Sequence, residues 1–365
     1  LQIAAKPSKN ERMNAAMKHR IIPAIMSGGA GSRLWPASTE ARPKQFHALG
    51  GAETMIAETV ARVAGDVGAL SFAAPIVLCN ESHAELVRAN VSAPTAIVFE
   101  PAPRNTAAVG AIAAAVGAEI EPGALVLLLP ADHIITDVAA FHAAIARAAP
   151  FARERIVTFG IAPDRPATGY GYIKCGAQLI DGVFALDGFR EKPNAETARA
   201  YLATGEYSWN SGMFLFDPAL MLREFEASAD IRDAALAALR AARRDGVNIH
   251  LDADLFKNVR SEPLDIAVME KTTHAAVAPC EIGWADVGAW DEIWRLAPKD
   301  EAGNAKHGAV VALDSANNLL RGDGVKVCVA GVNDLIVIAT PEAVIIVPKD
   351  RAQDVKALRD LALKG

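Results

Sequence analysis

The chain has 365 residues, is 52 % hydrophobic, and carries 37 Lys plus Arg against 43 Asp plus Glu, a formal net charge of −6. That length suggests about two domains and a core large enough to need no disulfide staples. The acidic balance argues against phosphate-backbone binding, so no nucleic acid is expected as a partner. No uninterrupted apolar run reaches the roughly 18 residues of a spanning helix, so no membrane partner is expected either.

The chain begins at Leu1, and its first twenty residues hold Lys6, Lys9, Glu11, Arg12, Lys18 and Arg20 with no apolar stretch between them. This is not the pattern of a secretion signal. Residues 1–19 are set aside as disordered or foreign to the native chain, with Met13 or Met17 as possible natural starts. Cys79, Cys175, Cys280 and Cys328 are scattered and form no C-x-x-C pair. Buried, reduced thiols are expected, which points to the cytoplasm.

Short branched-apolar runs then alternate with alanine-rich stretches, the pattern of an α/β protein with a mostly parallel sheet. Strands are predicted at Ile21–Met26, Pro75–Cys79, Thr95–Phe99, Ala124–Leu129 and Arg155–Ile161. Helices are predicted at Glu53–Ala64, Ser82–Asn90, Thr106–Ile120, capped by Asn105, and Val138–Ala149. Leu125–Leu129 is continuously apolar, as a strand covered on both faces should be. From Asp217 to Gly246 the pattern is wholly helical, with Leu220, Leu222, Phe225, Leu236 and Leu239 at helical spacing, and predicts a side layer. Beyond Pro298, β-rich runs at Gly308–Leu313, Asn318–Arg321, Val325–Ala330, Leu335–Ala339 and Ala343–Val347 are separated by turns such as Asp314–Asn317 and Gly322–Gly324. A helix over Arg351–Leu363 ends the chain. The expected division is a catalytic domain over 20–297 and a small β domain with a final helix over 298–365.

The strongest local signal follows the first predicted strand: Met26-Ser27-Gly28-Gly29-Ala30-Gly31-Ser32-Arg33-Leu34-Trp35-Pro36. Its glycines let bare N–H groups approach an anion, and Arg33 adds a planar fork suited to phosphate oxygens. Lys44, in Pro43-Lys44-Gln45-Phe46, supplies a second cation. The segment is not a P-loop, which needs G-x-x-x-x-G-K-[ST]. Nor is it a dinucleotide fingerprint, because Leu34 stands where a third glycine is required.

With Pro43–Phe46, this opening resembles that of bacterial mannose-1-phosphate guanylyltransferases, within the sugar-phosphate nucleotidyltransferases. The likeness continues in order through Glu100-Pro101-Ala102-Pro103-Arg104-Asn105-Thr106-Ala107, Pro130-Ala131-Asp132-His133, Gly169–Ile173, Phe189–Pro193, Trp209–Phe214, Ala267–Thr272 and Trp284–Gly288, spanning residues 21 to 295. The resemblance implies a Rossmann-like nucleotidyltransferase domain and a left-handed β-helix-like C-terminal domain that often mediates subunit pairing, hence a homodimer. It implies in-line attack by mannose 1-phosphate on the α-phosphorus of GTP, assisted by Mg²⁺, giving GDP-mannose and pyrophosphate. The attacking phosphate is already ionised, so alignment and charge neutralisation carry the rate.

By the same resemblance Arg33 and Lys44 serve the polyphosphate. Ser27, Gly28, Gly29, Gly31, Asn105 and Thr106 hold the nucleotide, with the guanine read by the backbone at Ser27–Gly28 and by the Arg104–Thr106 segment. Gly171, Glu191, Lys192 and Asn210 take the sugar phosphate. Asp132, at the carboxyl edge of the sheet and also counted with the catalytic groups, would share Mg²⁺ with Asp286 across the cleft. His133 is expected as a neighbour rather than a ligand.

The chain departs from the family at Ala285, Ala289 and Pro263-Leu264-Asp265, but the charged set is retained. It stops short of the cupin-like isomerase domain of longer relatives, so a second, isomerase activity is not expected. The alternatives are transfer with another hexose 1-phosphate or nucleotide, or a non-catalytic regulatory paralogue that binds GDP-mannose.

Overall fold

The computed structural model describes residues 18–29 and 31–364, and the segment 1–17 set aside above lies outside the described residues. Lys18 pairs with Asp66 at 2.7 Å and His19 opens the first strand, so the described fold begins two residues before Arg20.

The fold is α/β, built on a 13-stranded mixed sheet. Strands Ala96–Glu100, Ile76–Asn80, His19–Ser27 and Leu125–Pro130 lie side by side in that order and all parallel. The chain moves outward in one direction from His19–Ser27 and then returns to its other side with Leu125–Pro130. That reversal opens a crevice beyond the carboxyl ends of these two strands. Past Leu125–Pro130 the sheet continues with Tyr207–Phe216, antiparallel, and then Ile156–Ile161, Ala275–Pro279, Val183–Arg190 and Tyr172–Ile180.

Alternation along the strands separates two cores. Leu125, Leu127 and Leu129 point into one, with Ile21, Ile25 and the helix Val138–Ala148. Val126 and Leu128 point into the other, with Ile22, Ala24 and the helix Asn105–Ile120. The continuous apolar run is therefore buried on both sides, as its composition requires. Helix Asn105–Ile120 is apolar all round and is itself covered, by Pro218–Glu224 and Ala229–Arg240, the side layer expected from sequence.

Three local readings are corrected. Asn105 is not a conventional N-cap. It adopts φ +63° at the start of the helix and its Oδ1 accepts from the adjacent Thr106 N–H at 3.0 Å. Asparagine tolerates that left-handed conformation better than other side chains. The helical pattern ends before Gly246. Arg243–Asp245 and Asn248–His250 form a hairpin turned by Gly246 at φ +56°, and the second strand adds to Ala96–Glu100. Edge pairing outweighs the weak helical preference of so short a segment. Among the four free cysteines, Cys79 is buried, Cys175 and Cys280 are half-buried, and Cys328 is exposed on an alternating strand.

In the C-terminal region Ala305–Leu313, Leu319–Ala330 and Leu335–Ala339 pair in parallel, with Val344–Pro348 antiparallel at one edge. The two runs expected on either side of Gly322–Gly324 are one strand, and the glycines mark a register shift within it rather than a turn. Buried Asn318 donates through Nδ2 to Asn304 Oδ1 and accepts from Leu335 N–H, both at 2.9 Å, which stacks successive coils. A third core joins this module to the main sheet: Leu34, Val287 and Trp290 pack with Ile336, Ile338, Ala352 and Val355. The last segment is a 3₁₀ turn at Lys349–Asp354 followed by a helix over Val355–Ala362.

Candidate active site

The crevice predicted by the strand reversal holds two adjoining cavities. The larger, of ≈ 690 Å³, lies over the glycine loop and is lined by Ser27, Gly28, Gly29, Glu100, Asn105, Thr106 and Asp132, among others. The smaller, of ≈ 200 Å³, includes Gly171, Glu191, Lys192, Asn210, Asp265 and Asp286 in its wall. Met26, Thr106 and Pro130 line both, so the cavities share a wall at the end of the central strands.

Lys44 stands at the junction, bonded to one residue from each wall. Its Nζ lies 3.0 Å from Asp132 Oδ2 and donates to the Asp286 carbonyl at 2.7 Å. The close approach depends on Gly31: a Cβ there, at φ +56°, would lie 2.6 Å from Ser38 Oγ and 3.0 Å from Lys44 Cβ. Gln45, fully buried, donates to Ser27 Oγ at 3.3 Å and so ties Pro43–Phe46 to the glycine loop. Asp132 and Asp286 do lie on the two walls, but a lysine and not open space connects them.

Asp286 is also held from the opposite side. Tyr170 donates to its Oδ1 at 2.7 Å. Burial would raise this carboxyl, but hydrogen bonds from Glu292 and Tyr170 and the charge of Lys44 outweigh burial and hold it below the ordinary range. Glu292, buried and next to Asp286, is pushed up to about 7. The pair therefore favours charge on Asp286 over Glu292, although Arg295, which donates to Glu292 Oε1 at 2.6 Å, pulls Glu292 the other way. Two carboxylates, all-oxygen donors on one crevice, suit a hard divalent cation. Among the described residues no group of three or more His, Cys, Asp or Glu could complete a metal shell, so phosphate oxygens and water would have to supply the rest.

In the smaller cavity two sets of hydrogen bonds fix the polar side chains, one around Asn210 and one around Glu191. Asn210 sits within the strand Tyr207–Phe216. Its Oδ1 accepts from Thr158 and its Nδ2 donates to Asp265, both at 2.7 Å. Glu191 is nearly buried and pairs with the more exposed Lys192, so the two form a cavity wall rather than a solvated surface pair. Glu270 accepts the Glu191 N–H at 2.9 Å, which gives the Ala267–Thr272 segment a structural task. A Cβ on Gly171 would come within 2.8 Å of Glu191 Oε2, so a bare backbone is needed for Glu191 to take its position. Asp265, which follows the departures at Pro263 and Leu264, is pushed up to about 7 by burial and by the Glu191 charge.

Gly31 and Lys44 back the two cavities without lining either, whereas Arg33 stands apart from both. It borders a third hollow of ≈ 600 Å³ with Asp286, Arg165 and the C-terminal residues Lys349 and Gln353. Thr106 faces both main cavities, and its Oγ1 accepts from Leu264 N–H at 2.9 Å.

Sequence reasoning missed Glu100, Tyr170, Asp265 and Glu292 as members of the site. Glu100 ends a strand inside the larger cavity, and burial pushes it up to about 7. Its place at the carboxyl end of a parallel strand was the available signal. Tyr170 meets Asp286 only through tertiary packing, across 116 positions, whereas Glu292 reaches it locally, from the first turn of the helix Trp290–Leu296.

A model of the nucleotidyl transferase family matches residues 22–303, and one for a MannoseP isomerase/GMP-like β-helix domain matches 308–360. The chain belongs to the nucleotidyl transferase family. It is 44 % identical over 354 residues to the alginate biosynthesis protein AlgA of Pseudomonas aeruginosa, covering 94 % of this chain and 73 % of that one. It is 42 % identical over 349 residues to a mannose-1-phosphate guanylyltransferase of Escherichia coli, covering 92 % and 72 %. A crystal structure from Thermus thermophilus, described as a mannose-1-phosphate geranyltransferase, superposes with a TM-score of 0.81 at 29 % identity and spans 94 % of this chain and 99 % of that one. The family resemblance stated from sequence is thus borne out.

Proposed function

We propose that the chain transfers GMP from GTP to α-D-mannose 1-phosphate. An oxygen of the sugar phosphate bonds to the α-phosphorus of GTP, the bond from that phosphorus to the bridging oxygen breaks, and pyrophosphate leaves as GDP-mannose forms. No protein nucleophile is needed, since the attacking phosphate is already an anion. The observation that carries this reading is the pair of adjoining cavities that share Met26, Thr106 and Pro130, with Asp132 in the wall of the larger, Asp286 in that of the smaller, and Lys44 bonded to both aspartates.

On this reading Ser27, Gly28, Gly29, Gly31, Asn105 and Thr106 cradle the nucleotide. Glu100 faces the base, where its carboxyl oxygens, anionic above about pH 7, suit the N1–H and N2–H donors of guanine. Gly171, Glu191, Lys192 and Asn210 receive the sugar phosphate. Arg33 and Lys44 steady the polyphosphate. Asp132 and Asp286 would hold Mg²⁺ together with phosphate oxygens. The ion, when bound, adds positive charge against the crowded phosphates. We assign the catalytic work to residues 20–297 and treat 298–365 as a β-helix-like module.

Exposed Val311, Leu313, Val344 and Ile346 on that module support pairing with a second copy of the chain, to be checked by analytical ultracentrifugation. No helix among the described residues is long and apolar enough to cross a membrane. The four unpaired cysteines support a reducing compartment, the cytoplasm.

The test is a pyrophosphate-release assay that crosses four nucleoside triphosphates with several hexose 1-phosphates. Turnover confined to GTP with mannose 1-phosphate is the expected result. A preference for another pair would move the chain to another member of the same chemistry, and binding of GDP-mannose without turnover would favour a regulatory role.

A further inference from the structure

Arg33 is the one charged side chain between Ser27 and Trp35. Its Nη1 donates to Oε1 of Gln353 at 2.9 Å, across 320 positions of sequence. No carboxylate pairs with Arg33 among the described residues. The residues beside each partner are anchored: Leu34 next to Arg33, and Ala352 next to Gln353, belong to the same buried core, together with Val355. The hydrogen bond is an exposed side-chain contact between two anchored segments, the turn after the glycine loop and the 3₁₀ turn that precedes the final helix.

The chemistry of the partner matters. A neutral amide oxygen uses one of five guanidinium N–H donors and sets the direction of the group, while its charge and four donors stay available. A carboxylate in the same place would cancel the charge. An arginine with no partner would lose its rotamer freedom only when an anion bound, which weakens binding.

We propose that Gln353 is a positioning residue for Arg33, so that the C-terminal module takes part in binding the polyphosphate. Gln353 holds the guanidinium at the third hollow, which shares Gly169, Tyr170 and Asp286 with the smaller cavity, pre-oriented for the β- and γ-phosphates and for the pyrophosphate that leaves. This rests on the assignment of Arg33 to the polyphosphate made above.

The test is a double-mutant cycle on the full chain, read by calorimetric titration with inorganic pyrophosphate in the presence of Mg²⁺. Gln353→Ala is expected to weaken pyrophosphate binding about threefold to tenfold, the equivalent of one ordered side chain. Arg33→Ala should weaken it further, and Gln353→Ala should then add nothing. Gln353→Glu, which keeps the length of the side chain, should weaken binding more than Gln353→Ala, and the excess should shrink with added salt. In turnover, the KM for GTP should rise with Gln353→Ala while the KM for mannose 1-phosphate stays unchanged.

An equal loss from Gln353→Ala in both backgrounds, no loss when Arg33 is present, or no binding of pyrophosphate by the unaltered chain overturns the proposal. Wild-type turnover is measured alongside. Intact coupling without turnover sinks the proposed reaction and leaves the positioning role standing. Turnover without coupling sinks the positioning role alone.

Discussion

Trp284 donates its indole N–H to Nδ1 of His133 at 3.1 Å. An indole nitrogen can only donate, so Nδ1 must accept and the neutral ring carries its proton on Nε2. Burial lowers the His133 pKa, against the pull of Asp132, which keeps the ring neutral near pH 7. Nε2 lies 3.9 Å from Asp132 Oδ1, so the fixed tautomer presents a donor rather than a lone pair to that carboxylate. Trp284→Phe frees the tautomer while keeping most of the aromatic packing against His133 and Tyr170. Turnover is expected to fall by about tenfold, the scale of one lost hydrogen bond. Unchanged kcat with unchanged Tm would remove Trp284 from any positioning role.

Lys44 and Asp132 should fail differently. Lys44→Met removes the charge at the junction of the cavities, and kcat should drop by about two to three powers of ten, or about 3 to 4 kcal/mol. It also leaves Asp132 without its 3.0 Å partner, so Tm should fall. Asp132→Asn keeps the shape and removes the charge. Most turnover should disappear with circular dichroism unchanged, and near-normal activity with Mg²⁺ would exclude Asp132 as a metal ligand.

Glu191→Gln tests the smaller cavity. The substitution keeps the side chain seated against Gly171 but removes the charge paired with Lys192. The KM for mannose 1-phosphate should rise by tenfold or more, about 1.4 kcal/mol, with little change in the KM for GTP. Equal changes for both substrates would reassign Glu191.

Glu100 makes a prediction about pH. Burial alone raises its pKa from 4.5 to about 7 in the folded chain. Between those values the unfolded chain has lost the proton that the folded chain retains, so stability falls as pH rises through this window. The contribution is about 1 to 3 kcal/mol. Glu100→Gln should flatten the dependence of Tm on pH between 5 and 8 and should be more stable than wild type at pH 8. Parallel Tm curves for the two proteins would contradict the raised pKa.

Much of the site was legible because phosphate chemistry writes local motifs. The glycine loop, Lys44, Asp132, Glu191 and Asn210 each stand in short segments whose composition announces a close approach or a charge, and all five line or bound the crevice. The five early strands were legible for a similar reason: short apolar runs rich in branched side chains and bounded by turn residues favour strands over the longer helices.

What the amino-acid order determined by itself was therefore the parallel half of the sheet, the alanine-rich helices over it and the list of charged groups, since each depends on neighbours a few positions away. Only the tertiary structure decided how those groups meet. It placed Lys44 between two aspartates 154 positions apart, gave Asp286 its partner Tyr170, and sent Arg33 to Gln353 at the far end of the chain. It also converted a helical-looking segment into an edge hairpin and stacked Asn304 on Asn318. The physical reason is range: backbone preference and periodicity act over one or two turns, whereas packing and electrostatics act through space between residues that the sequence keeps far apart.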